Sequence, residues 1–530
     1  MTILRQIPLT QRVLAARQTA VHFHPRTFTT LQDGTHASTT KPKLVKVPSL
    51  PFFGSTISAH SGAPKFEASR LKAFFLEMHD IYGSFYSYGF PGLGKGLHGT
   101  LYVLDDPHEM LKVLKMEGKY PSGIIQGQWP MSSWAEGNGD RFSEFYGRGE
   151  GWKRYRSFMQ RDLLSPQDAK EYLPAILEGA RYASKNAPTD GNDFNRYLNY
   201  CTLDMFSMVL FGGHRKDTTP EEYEAFCKSA VFSLSEGIKI KRDPMQIIAH
   251  KLGIRTPRLK KLHETLDTVL DIGTRRVKNF QKRREEGKLD EQERTSYLAK
   301  AMERQQDSDL SMDEVVHVCT MLLFAAVDTT AGKIAWNLLQ LGLNPELQER
   351  LHEELDRAVQ KEGKLNENVF ERSNTPLLRS FIRETHRLTP AIVSNIIKEI
   401  SQSSVEVHGV TLPPGSIFAF DSTSPQRDPN LVEDPDEFRP ERWFPEEVQA
   451  RKGTPREVID HPFFSGPFSQ GARRCPGSRV AQVEVQVLLA QMILDWKFVL
   501  PKGLNLSEVG ITSETTQIPI WPELKLEPRQ

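Results

Sequence analysis

The sequence predicts a mainly α-helical fold with a small β region, and three observations support this fold class. Helical periodicity with short breaks dominates from Asp106 to about Asn374. Residues 84–88 and 101–104 have the aromatic and aliphatic composition of two strands of a hairpin. Strand-like segments return only after Pro390. We therefore expect helices to dominate the structure.

The loop of the predicted hairpin contains Gly94, Gly96 and Gly99 at the spacing of a dinucleotide-binding fingerprint. That fingerprint requires a strand before the glycines and a helix after them. A second strand follows here, so the motif does not predict a nicotinamide or flavin site. The rest of the sequence contains no other candidate for such a site.

The clearest predicted helix begins at a capping box, Ser311-x-x-Glu314, and ends at Asn344, which precedes a proline. At a rise of about 1.5 Å per residue, this helix would be roughly 50 Å long and would cross the whole domain. The sequence therefore predicts a central helix.

Three polar residues, Asp328, Thr329 and Thr330, follow an apolar run inside this helix. A carboxylate and two hydroxyls in a core-crossing helix cost free energy unless they are hydrogen-bonded or functional. The alternative to a functional role is a threonine hydroxyl that bonds back to the preceding helical turn.

The composition excludes several classes of protein. Among 530 residues, 68 Lys and Arg nearly cancel 67 Asp and Glu, so no nucleic-acid partner is predicted. The cysteines have no C-x-x-C spacing, which argues against a disulfide framework or a cysteine-rich zinc site and fits a reducing compartment. They are Cys201, Cys227, Cys319 and Cys475. The first three have apolar neighbours and are expected to be core residues.

Residues 1–40 have the composition of an organelle transit peptide and a linker. No acid precedes Asp33, while arginines recur among small and aliphatic residues. This pattern predicts a mitochondrial or, alternatively, a plastid location, and an ordinary disordered tail is the other interpretation. No segment approaches the roughly 20 apolar residues that a membrane-spanning helix needs. We therefore expect no transmembrane span, and peripheral contact with a membrane at most.

The strongest chemical signal is Phe468-x-x-Gly471-x-Arg473-x-Cys475-x-Gly477, a loop that leads into a predicted helix. Cysteine binds metal as the thiolate, which a helix N-terminus stabilises through its dipole and free backbone N–H groups. The glycines let the backbone approach a flat macrocycle, and the arginine can pair with a haem propionate. A buried cysteine before a core helix is the alternative, but it does not explain the other four residues. The loop therefore predicts Cys475 as the axial ligand of a haem iron.

This segment resembles the haem-binding loop of the cytochrome P-450 family and matches its F-x-x-G-x-R-x-C-x-G pattern in full. The resemblance implies a cytochrome P-450-like single haem domain, here residues 41–530, that binds haem b (iron protoporphyrin IX). In this family the thiolate ligand favours O–O bond cleavage. Further matches lie in the expected order over most of the chain.

The resemblance gives meaning to Glu384-x-x-Arg387, which alone would be a solvated pair on a helix surface. A segment FRPERW follows it, and by resemblance Arg442 of that segment joins Glu384 and Arg387 in a buried charge network beneath the haem. The implied role is structural, so breaking the network should cost folding or haem retention.

The segment FAAVDTTAG resembles the family's oxygen-binding motif, with Ala326 where glycine is more usual. By resemblance, Asp328 and Thr329 relay protons during oxygen activation, and the small Ala325 and Ala326 leave room for dioxygen.

Two further segments match the family. Trp152-x-x-x-Arg156 has the spacing of a helix that contacts a haem propionate, a signal that counts only together with the others. The segment 122–151 is expected to line the substrate pocket by analogy with the family.

The segments EGKYP, VDTT and HPF resemble the mitochondrial branch of the family. In that branch a small acidic ferredoxin docks on basic residues, and Arg379, Arg383 and Arg479 occupy matching positions. A solvated helix face is the alternative for these arginines. Two positions depart from the branch: Ser478 stands where a second arginine is usual, and Ile397 where an arginine usually grips a propionate.

The resemblance implies a monooxygenase that activates O2 and hydroxylates a hydrophobic small molecule of the sterol, fatty acid or terpenoid class. Because the chain has no dinucleotide site, its electrons are expected from a redox partner, a ferredoxin by the mitochondrial resemblance. The alternative is a haem-thiolate isomerase or dehydratase that acts on a peroxide without external electrons. Such members often lose the acid and threonine that this chain keeps at Asp328 and Thr329. A non-enzymatic haem carrier explains Cys475 but not this pair.

Overall fold

The computed structural model describes residues 43–50, 54–55, 62–64, 70–91, 98–121, 129–147, 149–213, 215, 217–392, 396–401, 403–512 and 516–529. Helices account for 60% of the structure, which confirms the predicted fold class. The predicted transit peptide, Gly94 and Gly96, and residues 122–128 of the predicted pocket segment lie outside the described residues.

The α-helices are numbered in chain order within the described residues. They are α1 (Leu71–Tyr82), α2 (Pro107–Lys115), α3 (Met131–Gly137), α4 (Asp140–Tyr146), α5 (Gly149–Met159), α6 (Pro166–Glu171), α7 (Leu173–Lys185), α8 (Phe194–Phe211), α9 (Pro220–Arg242), α10 (Pro244–Lys251), α11 (Pro257–Glu285), α12 (Glu291–Arg294), α13 (Tyr297–Gln305), α14 (Met312–Leu343), α15 (Pro345–Glu362), α16 (Pro376–Leu388), α17 (Pro445–Ala450), α18 (Pro462–Ser465) and α19 (Ser478–Asp495). Short 3-10 helices lie at Glu367–Phe370, Pro425–Arg427, Pro440–Trp443, Pro455–Asp460 and Leu506–Glu508.

Helix starts follow from local sequence. In α2, α6, α9, α10 and α11 a side chain that accepts from the backbone precedes a proline at the first helical position. The cap satisfies an N–H that has no partner within the helix, and proline at that position loses nothing because its missing N–H would be unpaired. These capping residues are Asp106, Ser165, Thr219, Asp243 and Thr256.

The strands form a small β region. They are β1 (Val45–Lys46), β2 (Phe85–Pro91), β3 (His98–Leu104), β4 (Ile396–Glu399), β5 (Val405–Val407), β6 (Val410–Leu412), β7 (Ile417–Phe420), β8 (Trp496–Val499) and β9 (Lys525–Pro528). The main sheet has the order β1-β2-β3-β7-β4, in which β2 and β3 are the predicted hairpin and are antiparallel. β3 and β7 are parallel, and β4 is antiparallel to β7. The pairs β5-β6 and β8-β9 form separate two-stranded sheets.

The α14 helix lies at the centre of the largest hydrophobic cluster and packs against α8, α11 and α19. Its predicted capping box is present: Ser311 Oγ accepts from the N–H of Glu314, whose carboxylate accepts from the N–H of Ser311 (2.7 Å). The Glu314 carboxylate also accepts from Tyr155 Oη (2.8 Å) on α5, so the cap ties two helices together.

By length and composition, α14 is a candidate membrane span among the described helices, but 83% of its most apolar window is buried inside the protein. The expectation that no segment is apolar enough to span a membrane was therefore wrong for this helix. Neighbouring helices explain why apolar residues lie on most sides of α14, because a helix that crosses a large core has little surface in contact with solvent.

Candidate active site

The Cys475 loop is closed by its own backbone and leads into α19 at Ser478. The N–H of Cys475 donates to the carbonyl oxygen of Phe468 (2.9 Å). Gly471 has a φ of +85°, and a Cβ on it would lie 2.7 Å from Leu114 Cδ1 on α2. Glycine is therefore required at this position, because a larger side chain would be strained and would collide with α2.

The thiol of Cys475 lies among groups with opposing effects. Burial raises its pKa, while the backbone N–H of Gly477 and the Arg156 guanidinium act in the opposite direction. Arg156, on α5, donates from Nη2 to the carbonyl oxygen of Arg474 (2.7 Å). The backbone N–H of Gly477, at the start of α19, favours the thiolate in the way that the sequence predicts. Burial has the larger effect on the pKa of the free thiol. A positive ion at the sulfur would favour the thiolate strongly here, because charges interact more strongly in a buried site than in water.

Arg473 and Trp152 form one unit beside this loop. The Arg473 guanidinium lies 4.1 Å from the centre of the Trp152 ring, and donates to the carbonyl oxygens of Pro121 (2.5 Å) and Gly147 (2.6 Å). The stacking and both hydrogen bonds fix its orientation. The structure therefore brings Trp152, Arg156 and Arg473 together around the Cys475 loop.

A buried ion pair that the sequence analysis missed holds the same loop. Lys398 Nζ lies 3.2 Å from Glu117 Oε1, with both side chains 3% exposed, and donates to the carbonyl oxygen of Gln470 (2.7 Å). Ile397, the neighbour of Lys398 on β4, packs against the β-region core instead. Successive residues of a strand point to opposite faces of the sheet. The side chain at position 398 therefore reaches the Cys475 loop, whereas the side chain at position 397 points away from it. The feature of the sequence that could have indicated this ion pair is Lys398, which directly follows Ile397, the position where the mitochondrial branch usually has an arginine.

The Glu384 carboxylate on α16 is the centre of a buried charge cluster. Oε1 accepts from Arg387 Nη2 (2.7 Å) and Arg442 Nε (2.9 Å), and Oε2 accepts from Arg387 Nε (3.0 Å). Two donors were not predicted: Trp443 Nε1 (2.8 Å) and the backbone N–H of Arg439 (3.0 Å). The structure thus places all three predicted members in contact and adds the indole and the backbone.

The arginines of this cluster are also tied to backbone carbonyl groups. Arg387 donates to the carbonyl oxygens of Gln426 (3.0 Å) and Pro435 (2.6 Å), and Arg442 donates to that of Glu433 (3.0 Å). Burial opposes ionisation of Glu384, but Arg387 and Arg442 outweigh it and lower the pKa of its carboxyl. The cluster is therefore ionised and satisfied by the protein itself.

One face of α14 differs from the rest of the helix. Ala325 and Thr329 are exposed and Ala326 and Lys333 are partly exposed, whereas every residue from 334 to 342 is buried. Helical spacing places these four residues on one face. Thr329 Oγ1 donates to the carbonyl oxygen of Ala325 (3.3 Å), so the back-bonded form expected as the alternative is present.

Asp328 lies on another side of α14 and is 4% exposed. Its charge adds to burial in raising the pKa of the Cys227 thiol, on α9, to about 12. Successive helical residues are rotated by about 100°, so Asp328 and Thr329 are adjacent in sequence without sharing a face.

Two of the three arginines expected at a docking surface are held by the protein. Arg379 donates to the carbonyl oxygen of Phe370. Arg383 pairs with Asp460 (Nη2···Oδ1 2.9 Å), and its guanidinium lies 3.9 Å from the centre of the Trp443 ring. Both charges are therefore partly committed to intramolecular contacts.

Arg479, on α19, is different. It is partly exposed, and donates to Gln482 Oε1 over a long distance (3.4 Å). Its neighbour Ser478 is buried. Arg479 is thus the freest of the three predicted docking residues to meet a partner.

Sequence comparisons find relatives of this chain among known proteins. A family model described as cytochrome P-450 matches residues 46–515. The chain is 27% identical over 424 residues to mitochondrial sterol 26-hydroxylase of Mus musculus, covering 77% of this chain and 76% of that protein. It is 28% identical over 446 residues to the Homo sapiens enzyme of the same name, covering 78% and 77%. It is 27% identical over 450 residues to mitochondrial 25-hydroxyvitamin D-1 alpha hydroxylase of Rattus norvegicus, covering 81% and 83%.

Proposed function

Because the chain belongs to the cytochrome P-450 family of haem b-binding monooxygenases, we propose that it hydroxylates a sterol-like molecule with electrons from a ferredoxin. The single observation that carries the proposal is the open face of α14, on which Thr329 lies. The α14 helix packs against α19, the helix that directly follows the Cys475 loop. Relatives named for sterol and 25-hydroxyvitamin D hydroxylation support the substrate class.

Cys475 is the proposed axial ligand of the haem iron. A Cβ on Gly477 would meet no atom within 4 Å, and small residues line the open face of α14, so the residues fit a flat ring between the loop and the helix. Trp152, Arg156 and Arg473 are the proposed propionate neighbours, because two guanidinium groups and an indole N–H match the chemistry of a carboxylate. Lys398 would act indirectly, by holding the loop at Gln470.

The bound haem would supply dioxygen binding and activation. The protein's own part is to place protons and exclude water. Thr329 presents a hydroxyl on the open face, and Asp328 is the nearest carboxyl along the chain, so the proposed relay runs from Asp328 to Thr329. It requires the Asp328 side chain to change rotamer or to act through water, because the two side chains do not share a face.

A ferredoxin is proposed to dock on Arg379, Arg383 and Arg479. An acidic partner would be steered by these charges, and charge loss at such a surface mainly slows association. Since Arg383 is already paired with Asp460, Arg479→Gln should raise the KM for ferredoxin more than Arg383→Gln does. Equal KM values in wild type and both variants would contradict docking at this surface.

The proposed location is the mitochondrion, supported by the composition of residues 1–40 and by relatives named as mitochondrial. Peripheral membrane contact is proposed at α10 and the residues after it. Met245, Ile248, Leu252 and Ile254 are exposed there, beside exposed basic residues, a pattern that suits a membrane interface.

The test of the proposed function combines binding and turnover. Purified haem-loaded enzyme is mixed with sterols, fatty acids and terpenoids, and the optical shift that follows displacement of the iron's water is recorded for each. Bound compounds are then incubated with ferredoxin, its reductase and O2, and the products are identified by mass spectrometry.

We expect a sterol-like compound to give the largest shift and a product that has gained one oxygen atom. Binding and oxidation confined to fatty acids or terpenoids would contradict the substrate class. Turnover of a hydroperoxide with no need for reduced ferredoxin would instead favour the isomerase or dehydratase.

A further inference from the structure

The long helix α14 carries one lysine, Lys333, and no arginine. Lys333 is partly exposed although its neighbours Gly332 and Ile334 are buried. It lies one helical turn after Thr329 on the same open face. Its side chain therefore belongs to the face that the proposed function assigns to the haem pocket.

Lys333 reaches across to α16. Its Nζ donates to the carbonyl oxygen of Ile382 (3.1 Å). In an α-helix that carbonyl also accepts the N–H four residues later, which is the N–H of His386. The Nδ1 atom of His386 is buried and has no hydrogen-bond partner among the described residues. Two titratable side chains from two helices thus lie beside each other in the core.

The positive charge of Lys333 is not balanced by a carboxylate among the described residues. Burial lowers the pKa of Lys333 to about 7, and within the described part of the chain no carboxylate offsets that effect. Burial and the charge of Lys333 together lower the pKa of His386 well below its ordinary value, so His386 is neutral. The charged residues on the helices packed here include Asp328 on α14, Glu484 on α19, and Arg379, Arg383, Glu384 and Arg387 on α16.

A cation that is largely removed from water, with no carboxylate to offset it, costs free energy and is stabilised by negative charge that arrives nearby. Reduction of haem iron from the ferric to the ferrous state, by one electron from the donor protein, is such a change. We propose that Lys333 makes the haem easier to reduce by placing a positive charge on the Thr329 face of α14. This inference rests on haem binding at Cys475, which is part of the proposed function.

The test is a reductive titration of the haem-loaded enzyme at pH 6, where Lys333 is mostly protonated. In Lys333→Met the ferrous-to-ferric ratio at a fixed applied potential should fall about tenfold, equal to about 59 mV for a one-electron couple. Lys333→Arg keeps the charge and should stay near wild type. If Lys333→Met does not fold, the neutral Lys333→Gln carries the same expectation.

Lys72→Met is the matched control. Lys72 is also deep in the protein and donates to a carbonyl oxygen of α16, that of Leu388 (2.6 Å), but its charged neighbours are Arg387, Arg427 and Asp436. Its loss should leave the potential unchanged. Equal potentials in wild type and Lys333→Met, or an equal fall in Lys72→Met, would overturn the inference.

The carbon monoxide spectrum separates this inference from the proposed function. A thiolate-type spectrum in wild type and in each variant shows that the haem site is intact, so an unchanged potential then counts against Lys333 alone. A wild-type enzyme without that spectrum would contradict haem binding through Cys475 itself.

Discussion

Two polar regions lie within the helical core and are built in opposite ways. In the Glu384 cluster, the carboxylate accepts five hydrogen bonds, and Arg387 and Arg442 also donate to backbone carbonyl oxygens. On the open face of α14, Thr329 has one weak bond to its own helix, and Lys333 donates to one carbonyl. The first region is saturated by protein partners, while the polar groups of the second have fewer partners among the described residues than they could bind.

This difference separates a structural role from a functional one. A buried polar group that only supports the fold is stabilised by every hydrogen bond it can make. A group that must exchange a proton or meet a ligand cannot be saturated in this way. We therefore expect substitutions in the Glu384 cluster to act on stability, and substitutions around the open face and the Cys475 loop to act on spectrum and turnover.

The largest effect is expected at Cys475. Cys475→Ala removes the sulfur that we propose as the iron ligand, so the thiolate-type carbon monoxide spectrum should be lost completely. The measurement is the carbon monoxide difference spectrum together with haem content. Cys227→Ala, at a buried cysteine on α9, should keep the spectrum. Retention of the spectrum by Cys475→Ala would contradict the assignment of the ligand.

Glu384→Gln tests the saturated region. It removes the negative charge and leaves the buried Arg387 and Arg442 unpaired, so the free energy of unfolding should fall by about 3–5 kcal/mol. Urea unfolding followed by circular dichroism measures this loss. Glu353→Gln, on the exposed side of α15, should change the free energy by less than about 0.5 kcal/mol. A loss at Glu384 no larger than at Glu353 would show that the cluster is not structural.

Thr329→Val tests the open face with little change in side-chain volume. Loss of the hydroxyl should lower product formed per electron consumed by roughly 10²-fold, the low end of what acid–base groups contribute. Unfolding stability should change little. Thr330→Val, at the adjacent buried threonine, is the control and should keep most of the coupling. If both variants formed the same amount of product per electron consumed, Thr329 would not take part in proton transfer.

The pH dependence of unfolding stability distinguishes two buried glutamates, Glu484 and Glu384, whose pKa values are shifted in opposite directions. Burial raises the pKa of Glu484 to about 8, whereas arginines hold that of Glu384 below its ordinary value. Between about pH 5 and 8 the unfolded chain ionises Glu484 and the folded state does not, so wild type should lose about 1.4 kcal/mol of stability per pH unit relative to Glu484→Gln.

Glu384 should show the opposite sign. Its contribution is present above its unfolded pKa and is lost as the pH falls through the lower folded value. Unfolding midpoints of wild type, Glu484→Gln and Glu353→Gln between pH 5 and 8 measure the Glu484 effect. Parallel pH curves for wild type and Glu484→Gln would show that Glu484 is ionised in the folded protein.

Local features were predictable from sequence. The fold class, the capping box of α14 and the β2-β3 hairpin follow from residues close together in the chain, where periodicity and capping decide the conformation. The apolar character of α14 was underestimated, because the polar residues Asp328, Thr329 and Thr330 interrupt its apolar run. The chemistry proposed for the Cys475 loop rests on a motif of ten residues, so it needs no knowledge of distant contacts.

From the amino-acid sequence alone follow a helical protein, a cysteine-bearing loop before a helix and a polar interruption in the central helix. The tertiary structure alone decided which distant residues meet: Trp443 with Glu384, Lys398 with Glu117, and Lys333 with the α16 turn that leads to His386. It also decided that Arg383 forms an ion pair with Asp460, whereas Arg479 donates a long hydrogen bond to Gln482. The physical reason is that such contacts depend on how whole helices and strands pack, and no local propensity encodes which side chains that packing will bring together.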